Sequence, residues 1–317
     1  MQLNRLTSML NIKYPIFQGG MGNISNAILT AAVSEAGGLG TIGTGTMTPS
    51  EIEEIIKETL KRTKKPFAVN IALSVSPFVE EILSLIIKYK VPIVSFSAGN
   101  SASFIPKLHE HNIKTISVVA TVKQAKKAEA IGADVIVAEG YEAAGINSKH
   151  ETTTLVLIPQ IARVVKIPVV AAGGIADGSG LAAAISLGAS GVQMGTRFIA
   201  TMEAPFHEKY KNMILEANDH QTVIVGRSVG RIRRVLVTTF AEKLLEMEKN
   251  GLALDDFNYF TSEDFHQRGA IHGDSEDGFI NGGQIAGLIQ DIPTVQELIK
   301  KMMSDAQLHL KRASKLL

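Results

Sequence analysis

Eight short runs of β-branched and small apolar residues recur within the first 197 residues, at a spacing of roughly 25 residues. Segments with the apolar spacing of amphipathic helices separate these runs. Eight such units predict an α/β protein built on a closed parallel (β/α)8 barrel, the TIM barrel, because an open doubly wound sheet normally carries fewer strands. The open sheet stays as the alternative, since periodicity does not show closure. The predicted strands are YPIFQG (14–19), LGTIGTG (39–45), FAVNIAL (67–73), IVSFSAG (93–99), KTISVVA (114–120), DVIVAEG (134–140), PVVAAGG (168–174) and GVQMGTR (191–197).

The repeat stops after Arg197. Residues 201–292 combine loops with helical patterns such as EAPFHEKYKNMILEAN and RIRRVLVTTFAEKLLEMEKNG, and TVQELIKKMMSDAQLHLKRASKLL has the pattern of a final amphipathic helix. We therefore predict three parts: a barrel over residues 1–200, a helical appended domain over 201–292 that covers the barrel mouth, and a helix over 293–317 that packs back on the barrel. No low-complexity linker separates them, so one rigid body is expected.

Charge and composition exclude several classes of partner. The chain has 317 residues and a formal net charge of +1, which creates no long-range field for nucleic acid or an anionic membrane surface. No run approaches the ~18 apolar residues of a membrane-spanning helix. The first residues, MQLNRLTSMLNIKYP, lack the layout of a signal peptide, and no cysteine is present to form a disulfide or a thiolate ligand. We expect a cytoplasmic protein that binds neither nucleic acid nor membrane.

Two glycine-bearing loops follow predicted strands seven and eight, where barrels commonly bind a phosphate. Gly173 and Gly174 lie in AAGGIADGSG, and Gly195 and Thr196 lie in QMGTRF. Glycine exposes its backbone N–H without a Cβ in the way, and a following helix N-terminus adds partial positive charge. The alternative is that the glycines only turn a corner. Two such loops at these positions favour a phosphorylated ligand.

Two carboxamides end strands one and three, at the predicted barrel mouth. Gln18 is followed by Gly19, Gly20 and Met21, and Asn70 lies in FAVNIAL. A carboxamide both donates and accepts hydrogen bonds, which suits the edge of a flavin or a base. Each amide alone is equally consistent with hydrogen bonds to local backbone groups. Their joint position favours a surface of the barrel mouth that binds the ring system of a flavin or a base.

Several motifs together resemble one protein family. IFQGGM, AGGLGTIG, KPFAVNI, AEGYEAAG, VVAAGGIADG, VQMGTRF and the late HGD with GQIAGL are similar to the FMN-dependent nitronate monooxygenase (2-nitropropane dioxygenase) family, including its flavin-dependent enoyl-ACP reductase II branch. The resemblance runs from about Tyr14 to Leu288. It implies a TIM barrel with a helical second domain and one FMN at the mouth. The cofactor-binding residues that we predict are Gln18, Gly19, Gly20, Met21, Asn70, Glu139, Gly145, Gly173, Gly174, Gln193, Gly195 and Thr196.

The loop after strand six departs from the family pattern. Family members that move a proton at carbon typically read EAGGH here, whereas this chain reads EAAGI, with Ile146 at the histidine position. His150, Glu139 and Glu142 are the remaining candidates for an acid or base, and a carboxyl group would need burial to raise its pKa toward 7. The favoured interpretation is that no carbon acid is cleaved, because a nitronate is already deprotonated.

The resemblance implies an FMN-dependent oxidoreductase that oxidises nitronates with molecular oxygen. The alternatives within the enzyme class are an NAD(P)H-dependent enoyl-ACP reductase II and an NAD(P)H:quinone reductase. An alternative of another class is a flavin-binding protein of low turnover. The expected partners are a small-molecule substrate and, for the reductase, NAD(P)H and acyl carrier protein; fold-level analogy suggests a homodimer.

Basic residues of the appendage add a further prediction. Guanidinium groups near the mouth could receive a nicotinamide or phosphopantetheine phosphate, although a solvated helix face is the alternative. His272 could approach the pocket or be structural, and Arg197 is either a structural ion-pair residue or close to the phosphate. The histidines show no metal-ligand spacing, so no catalytic metal is predicted. The arginines concerned are Arg227, Arg231, Arg233 and Arg234.

Overall fold

The computed structural model describes the backbone of residues 2–316 and the side chains of residues 5–316. Eight parallel strands form one sheet in the order β1-β9-β8-β6-β5-β4-β3-β2, and three shorter strands form a second sheet in the order β10-β11-β7. The strands are β1 (Ile16–Gln18), β2 (Gly40–Gly43), β3 (Phe67–Ala72), β4 (Ile93–Ser97), β5 (Lys114–Val119), β6 (Val135–Glu139), β7 (Gly145–Ile146), β8 (Val169–Ala172), β9 (Gly191–Met194), β10 (Thr222–Val225) and β11 (Arg233–Leu236).

Helices surround the eight-stranded sheet and build much of the rest of the chain. Two short 3-10 helices lie at Gly22–Ile24 and Gln284–Leu288. The α-helices are α1 (Gln2–Leu10), α2 (Ala27–Glu35), α3 (Pro49–Arg62), α4 (Val79–Lys88), α5 (Ile105–Glu110), α6 (Val122–Ala130), α7 (Thr154–Ala162), α8 (Gly178–Ser186), α9 (Thr196–Ile199), α10 (Glu208–Leu215), α11 (Thr239–Lys249), α12 (Leu254–Phe260), α13 (Glu263–Ala270) and α14 (Val295–Ala313).

The sheet closes between β1 and β2, the two strands at the ends of this order. This closure distinguishes the barrel from the open sheet. Phe17 and Leu39 form a parallel bridge. The Leu39 N–H donates to the Ile16 carbonyl, and the Gln18 N–H donates to the Leu39 carbonyl, each at 2.9 Å. All eight predicted strands are present, so the prediction of a (β/α)8 barrel is confirmed.

Alternating side chains of the barrel strands fill two separate apolar regions. One set points into the barrel and packs with Leu6 and Leu10 of α1, which plugs the N-terminal end. The other set points outward against the surrounding helices. Because parallel strands are covered on both faces, the β-branched runs are nearly continuous in apolar character. The C-terminal end of the barrel is left for polar groups.

The small antiparallel sheet corrects one sequence-based expectation. The stretch RIRRVLVTTFAEKLLEMEKNG was interpreted as helical, but its first part is β11, which pairs with β10 and also with β7. The helix α11 begins only after Thr238, whose hydroxyl accepts the Ala241 N–H at 3.1 Å. The strand pairs with residues far away in sequence, and local helical periodicity does not report such pairing.

The last helix, α14, packs against α8 and α2 on the outside of the barrel. Its N-terminus carries a capping box: the Thr294 hydroxyl accepts the Glu297 N–H at 3.2 Å, and the Glu297 carboxylate accepts the Thr294 N–H at 2.9 Å. Within residues 2–316, no helix is both long enough and apolar enough to span a membrane.

We expect Thr294→Ala to lower the free energy of unfolding by about 1 kcal/mol, because the first turn of α14 loses its side-chain acceptor. Chemical denaturation monitored by circular dichroism measures the change. Ser304→Ala is the matched control, since Ser304 is exposed on the same helix and alanine is a good helix former. Equal losses in the two variants would contradict the capping argument.

Candidate active site

A cavity of about 440 Å³ lies at the C-terminal end of the barrel, between the strand ends and residues 201–292. This volume is in the range of sites that bind small molecules or cofactors. The cavity brings together residues of β3, β4, β5, β6, β8 and β9 and of the loop after β1 on the barrel side with residues of the appendage. Eleven of the twelve predicted cofactor-binding residues line it, namely Gly19, Gly20, Met21, Asn70, Glu139, Gly145, Gly173, Gly174, Gln193, Gly195 and Thr196.

Gln18 is the predicted residue that does not line the cavity. Its side chain is buried inside the barrel, where Oε1 accepts the Thr41 N–H at 3.4 Å. Its Nε2 has no hydrogen-bond partner within the described chain. Asn70 lines the cavity, but its amide group donates to the Ser95 carbonyl and hydroxyl at 3.3 and 3.2 Å. Both amides therefore also serve local groups, as the alternative interpretation held.

The glycines after β8 and β9 border the cavity. Gly173 and Gly174 have φ values of +88° and +71°, which L side chains rarely adopt. At Gly195, an added Cβ would meet no atom within 4 Å, so the backbone there borders open cavity space. The Thr196 hydroxyl instead accepts the Gly283 N–H at 3.0 Å and ties the appendage to β9.

Two of the three candidate proton-transfer groups, Glu142 and His150, lie in the loop between β6 and α7. Both carboxylate oxygens of Glu142 accept the Thr154 N–H, at 3.0 and 2.9 Å, and one also accepts the Thr154 hydroxyl. Glu142 thus caps the N-terminus of α7 and is committed to that structural role. His150 is exposed and does not line the cavity. Neither residue is placed to act as the base.

Glu139 is the candidate that remains. It ends β6 and projects into the cavity, where it is partly exposed. Among the side chains described, none forms a hydrogen bond or ion pair with its carboxyl group. Burial raises the pKa of Glu139 to about 7, because desolvation disfavours the charged form. A carboxyl group with this pKa still carries a proton in mildly acidic to neutral solution.

Ile146 lies at the cavity with 52% of its surface exposed. It pairs with Arg233 across β7 and β11, and both side chains line the cavity. The Arg233 guanidinium lies over the Phe279 ring at 4.8 Å. Desolvation lowers the pKa of Arg233, and the Glu263 carboxylate opposes that change. The loop that departs from the family pattern therefore faces a cation of the appendage.

The other arginines have structural partners or face solvent. Arg234 is buried and donates to the Tyr141 carbonyl at 3.1 and 3.0 Å, whereas Arg227 at the rim pairs with Glu151 and with the Tyr141 hydroxyl. Arg231 is exposed. Arg197 is buried against Asp291, with its Nη2 3.1 Å from the carboxylate, which makes it a structural ion-pair residue.

Comparison with known proteins agrees with this geometry. A family model described as nitronate monooxygenase matches residues 4–82 and 74–305. The chain belongs to the nitronate monooxygenase family. Members of this family are enzymes, and the chain is an oxidoreductase of that class. The resemblance stated from the motifs is thereby confirmed.

Individual members of the nitronate monooxygenase family differ in what they are named for. The structure of FabK from Thermotoga maritima is 42% identical, with a TM-score of 0.92 and 99% coverage of both chains. The (3aS,4S,5R,7aS)-5-hydroxy-7a-methyl-1-oxo-octahydro-1H-indene-4-carboxyl-CoA dehydrogenase of Mycobacterium tuberculosis is 33% identical over 98% of both chains. A probable nitronate monooxygenase of Staphylococcus aureus is 36% identical, covering 77% of this chain and 81% of the relative.

The roof of the cavity, which residues 201–292 form, contains a polar cluster that the sequence did not predict. His266 is buried, stacked on Phe279 with ring centroids 5.1 Å apart. Its Nδ1 lies 3.4 Å from Glu263, and its Nε2 lies 3.1 Å from the Asn281 amide nitrogen. Because that amide nitrogen donates, the ring proton is assigned to Nδ1. His272, which was considered instead, is exposed and outside the cavity lining.

The spacing of Glu263 and His266 was the available signal, since residues three apart on a helix are neighbours. This pair places a negative charge, that of Glu263, in the roof of the cavity. Burial would raise the pKa of Glu263, but the hydrogen bond from His266 and the charge of Arg233 lower it below its usual value. Glu263 is therefore a carboxylate at neutral pH, in contrast to Glu139 on the barrel floor.

We expect Glu139→Gln to change how stability depends on pH in the cofactor-free protein. The unfolded carboxyl group ionises near 4.5, while the folded group keeps its proton to about 7. The native state therefore binds more protons in this window, and the wild type loses stability relative to the variant as pH rises from about 4.5 to about 7. Thermal unfolding across this range measures the difference. Stability–pH profiles that are parallel in wild type and Glu139→Gln would contradict the raised pKa of Glu139. Glu216→Gln is the control, because the Glu216 carboxyl group is exposed.

Proposed function

We propose that the chain is an FMN-dependent oxidoreductase that oxidises nitronates with molecular oxygen. The observation that carries the proposal is Ile146, which borders the cavity where family members that move a carbon-bound proton have a histidine. An isoleucine does not titrate. A nitronate is already deprotonated at carbon, so its oxidation needs no base at that position.

The glycine-rich cavity floor supports FMN as the cofactor. In this proposal, the phosphate group lies against the backbone of Gly173, Gly174 and Gly195, where a Cβ would be strained or would project into open space. At Gly20, an added Cβ would lie 2.7 Å from the Asn70 side chain, so the glycine lets the two cavity walls approach. Bound FMN would supply the acceptor for hydride or electrons.

The remaining titratable groups of the site also favour a substrate that is already anionic. Glu139 holds its proton up to about pH 7, and Glu142 is occupied as a helix cap. Both ring nitrogens of His266 are engaged by neighbours. Below about pH 7, where Glu139 is mostly protonated, none of these three groups is poised to remove a proton from a neutral nitroalkane. The roof, in contrast, offers the positive charge of Arg233 to an anion.

The alternative within the enzyme class is reduction of an unsaturated acyl thioester, as in the enoyl-ACP reductase II branch, with NAD(P)H as reductant and acyl carrier protein as partner. Two observations favour it. The similarity to FabK extends over 99% of both chains, and a protonated Glu139 could supply the proton that the substrate's α-carbon requires. Reduction of a quinone would need neither an acyl partner nor that proton.

A spectrum and two assays separate these functions. A yellow preparation with a flavin absorption band supports FMN binding, and a colourless one would overturn the proposal. We expect oxygen uptake with propionate 3-nitronate that exceeds NADH or NADPH oxidation with crotonyl thioester or a quinone. The reverse order would favour the reductase functions. Bound flavin that neither bleaches nor reoxidises with any of these substrates would indicate a flavin-binding protein of low turnover.

We expect Ile146→His to gain activity on neutral nitroethane, by about tenfold or more in kcat/KM, because it restores a general base. The nearby Arg233 charge would lower the pKa of the new imidazole and favour its neutral form at pH 7. Steady-state oxygen uptake measures the gain. Ile146→Leu is the matched control. A histidine variant that retains FMN but gains no such activity would contradict our explanation of this position.

A further inference from the structure

We propose that Arg233 binds the anionic head of the substrate, beside Ile146, and so selects nitronates over neutral nitroalkanes. The inference deepens the proposed function and rests on it for the identity of the anion. The residue that recognises the reacting group then belongs to the appendage and not to the barrel.

Strand pairing fixes where the Arg233 side chain points. Arg233 and Ile146 are directly opposite in the antiparallel pair β11 and β7. Opposite residues in such a pair project from the same face of the sheet, with Cβ atoms about 4.5–5.5 Å apart. Both residues line the cavity, so a ligand that touches Ile146 lies within reach of the guanidinium group.

The hydrogen-bonding capacity of Arg233 is unused. A guanidinium group has five N–H donors, yet within residues 5–316 no acceptor forms a hydrogen bond or an ion pair within 4 Å with this one. Its contact is with the face of Phe279 at 4.8 Å. Arg234 and Arg197, by contrast, each donate to backbone carbonyls. Arg233 is partly exposed at the cavity, so its N–H groups are open to a ligand, and an anion would supply the missing acceptors.

Neighbouring groups hold Arg233 in place without satisfying it. The Glu263 carboxylate attracts the guanidinium and opposes the pKa decrease caused by desolvation, but it interacts directly with His266. His266 and Arg233 both contact the Phe279 ring. The Phe279 ring and the nearby Glu263 carboxylate thus orient the Arg233 guanidinium group, and its N–H groups remain free to bind a ligand in the cavity.

The shape of the site suits a small planar anion with an apolar tail. A guanidinium fork binds two oxygens of one planar anion side by side, and a nitronate head presents two such oxygens. The exposed surface of Ile146 can contact the alkyl part. A phosphate of a nicotinamide cofactor or of an acyl carrier could also offer oxygens to Arg233, and the experiment separates this source from a nitronate.

The test compares FMN-loaded wild type, Arg233→Gln, Arg233→Lys and the control Arg231→Gln, whose parent side chain is exposed on the same connection. Sodium nitrate is the probe, because it is a planar, unreactive anion. Its dissociation constant is measured from the difference spectrum of the bound flavin. We expect about tenfold or greater weakening in Arg233→Gln, a smaller loss in Arg233→Lys, and no change in the control.

Kinetics with ethyl nitronate provide the second measurement. We expect Arg233→Gln to raise KM for ethyl nitronate about tenfold or more, while the control Arg231→Gln keeps the wild-type KM. Flavin content and thermal midpoint equal to wild type show that the variant is folded. Should Arg233→Gln lose FMN, Arg233→Lys carries the comparison, since it keeps the charge and loses only the fork.

The outcomes distinguish this inference from the proposed function. Unchanged nitrate affinity in Arg233→Gln would overturn the inference even where nitronates are oxidised. Nitrate binding that depends on Arg233 would support an anion site even where nitronate oxidation fails. A raised KM for NADPH or for an acyl-carrier substrate, with nitrate and nitronate unaffected, would overturn the nitronate assignment and identify a phosphate as the anion.

Discussion

The pairing of two short strands, β7 from the barrel and β11 from the appendage, is the interaction on which the site depends. It aligns Gly145 and Ile146 with Arg234 and Arg233, and the Asn147 N–H extends it by donating to the Ile232 carbonyl at 2.8 Å. Backbone pairing of this kind is directional. The loop after β6 is therefore held as a strand of the roof.

Further contacts fix the roof to the barrel. The Gly283 N–H donates to the Thr196 hydroxyl, and the Gln284 N–H donates to the Glu142 carbonyl at 3.0 Å. These bonds join segments that are far apart in the sequence. They explain why a cavity forms between the two parts, and why its polar lining comes from both.

Much of the barrel and of its floor followed from the sequence, because both depend on short-range patterns. Short runs of β-branched and small apolar residues predicted the eight strands, and glycines at strand ends indicated the loops that border the cavity. The roof did not follow. The strand identity of Arg233 depends on a partner near Ile146, the cap formed by Glu142 depends on a residue twelve positions later, and His266 became notable only beside Asn281. Each of these relations is made by tertiary contact, which local periodicity does not encode.

The two ends of the loop after β6 are anchored independently. Glu142 binds the start of α7 at one point, and β7 binds the roof at another, so the stretch from Ser148 to His150, in which Lys149 and His150 are exposed, lies between two fixed points. Length changes between anchored ends cost little loop-closure entropy. Natural or laboratory diversification could therefore lengthen or shorten this stretch to reshape the entrance, while the barrel floor and the arginine above it keep their positions.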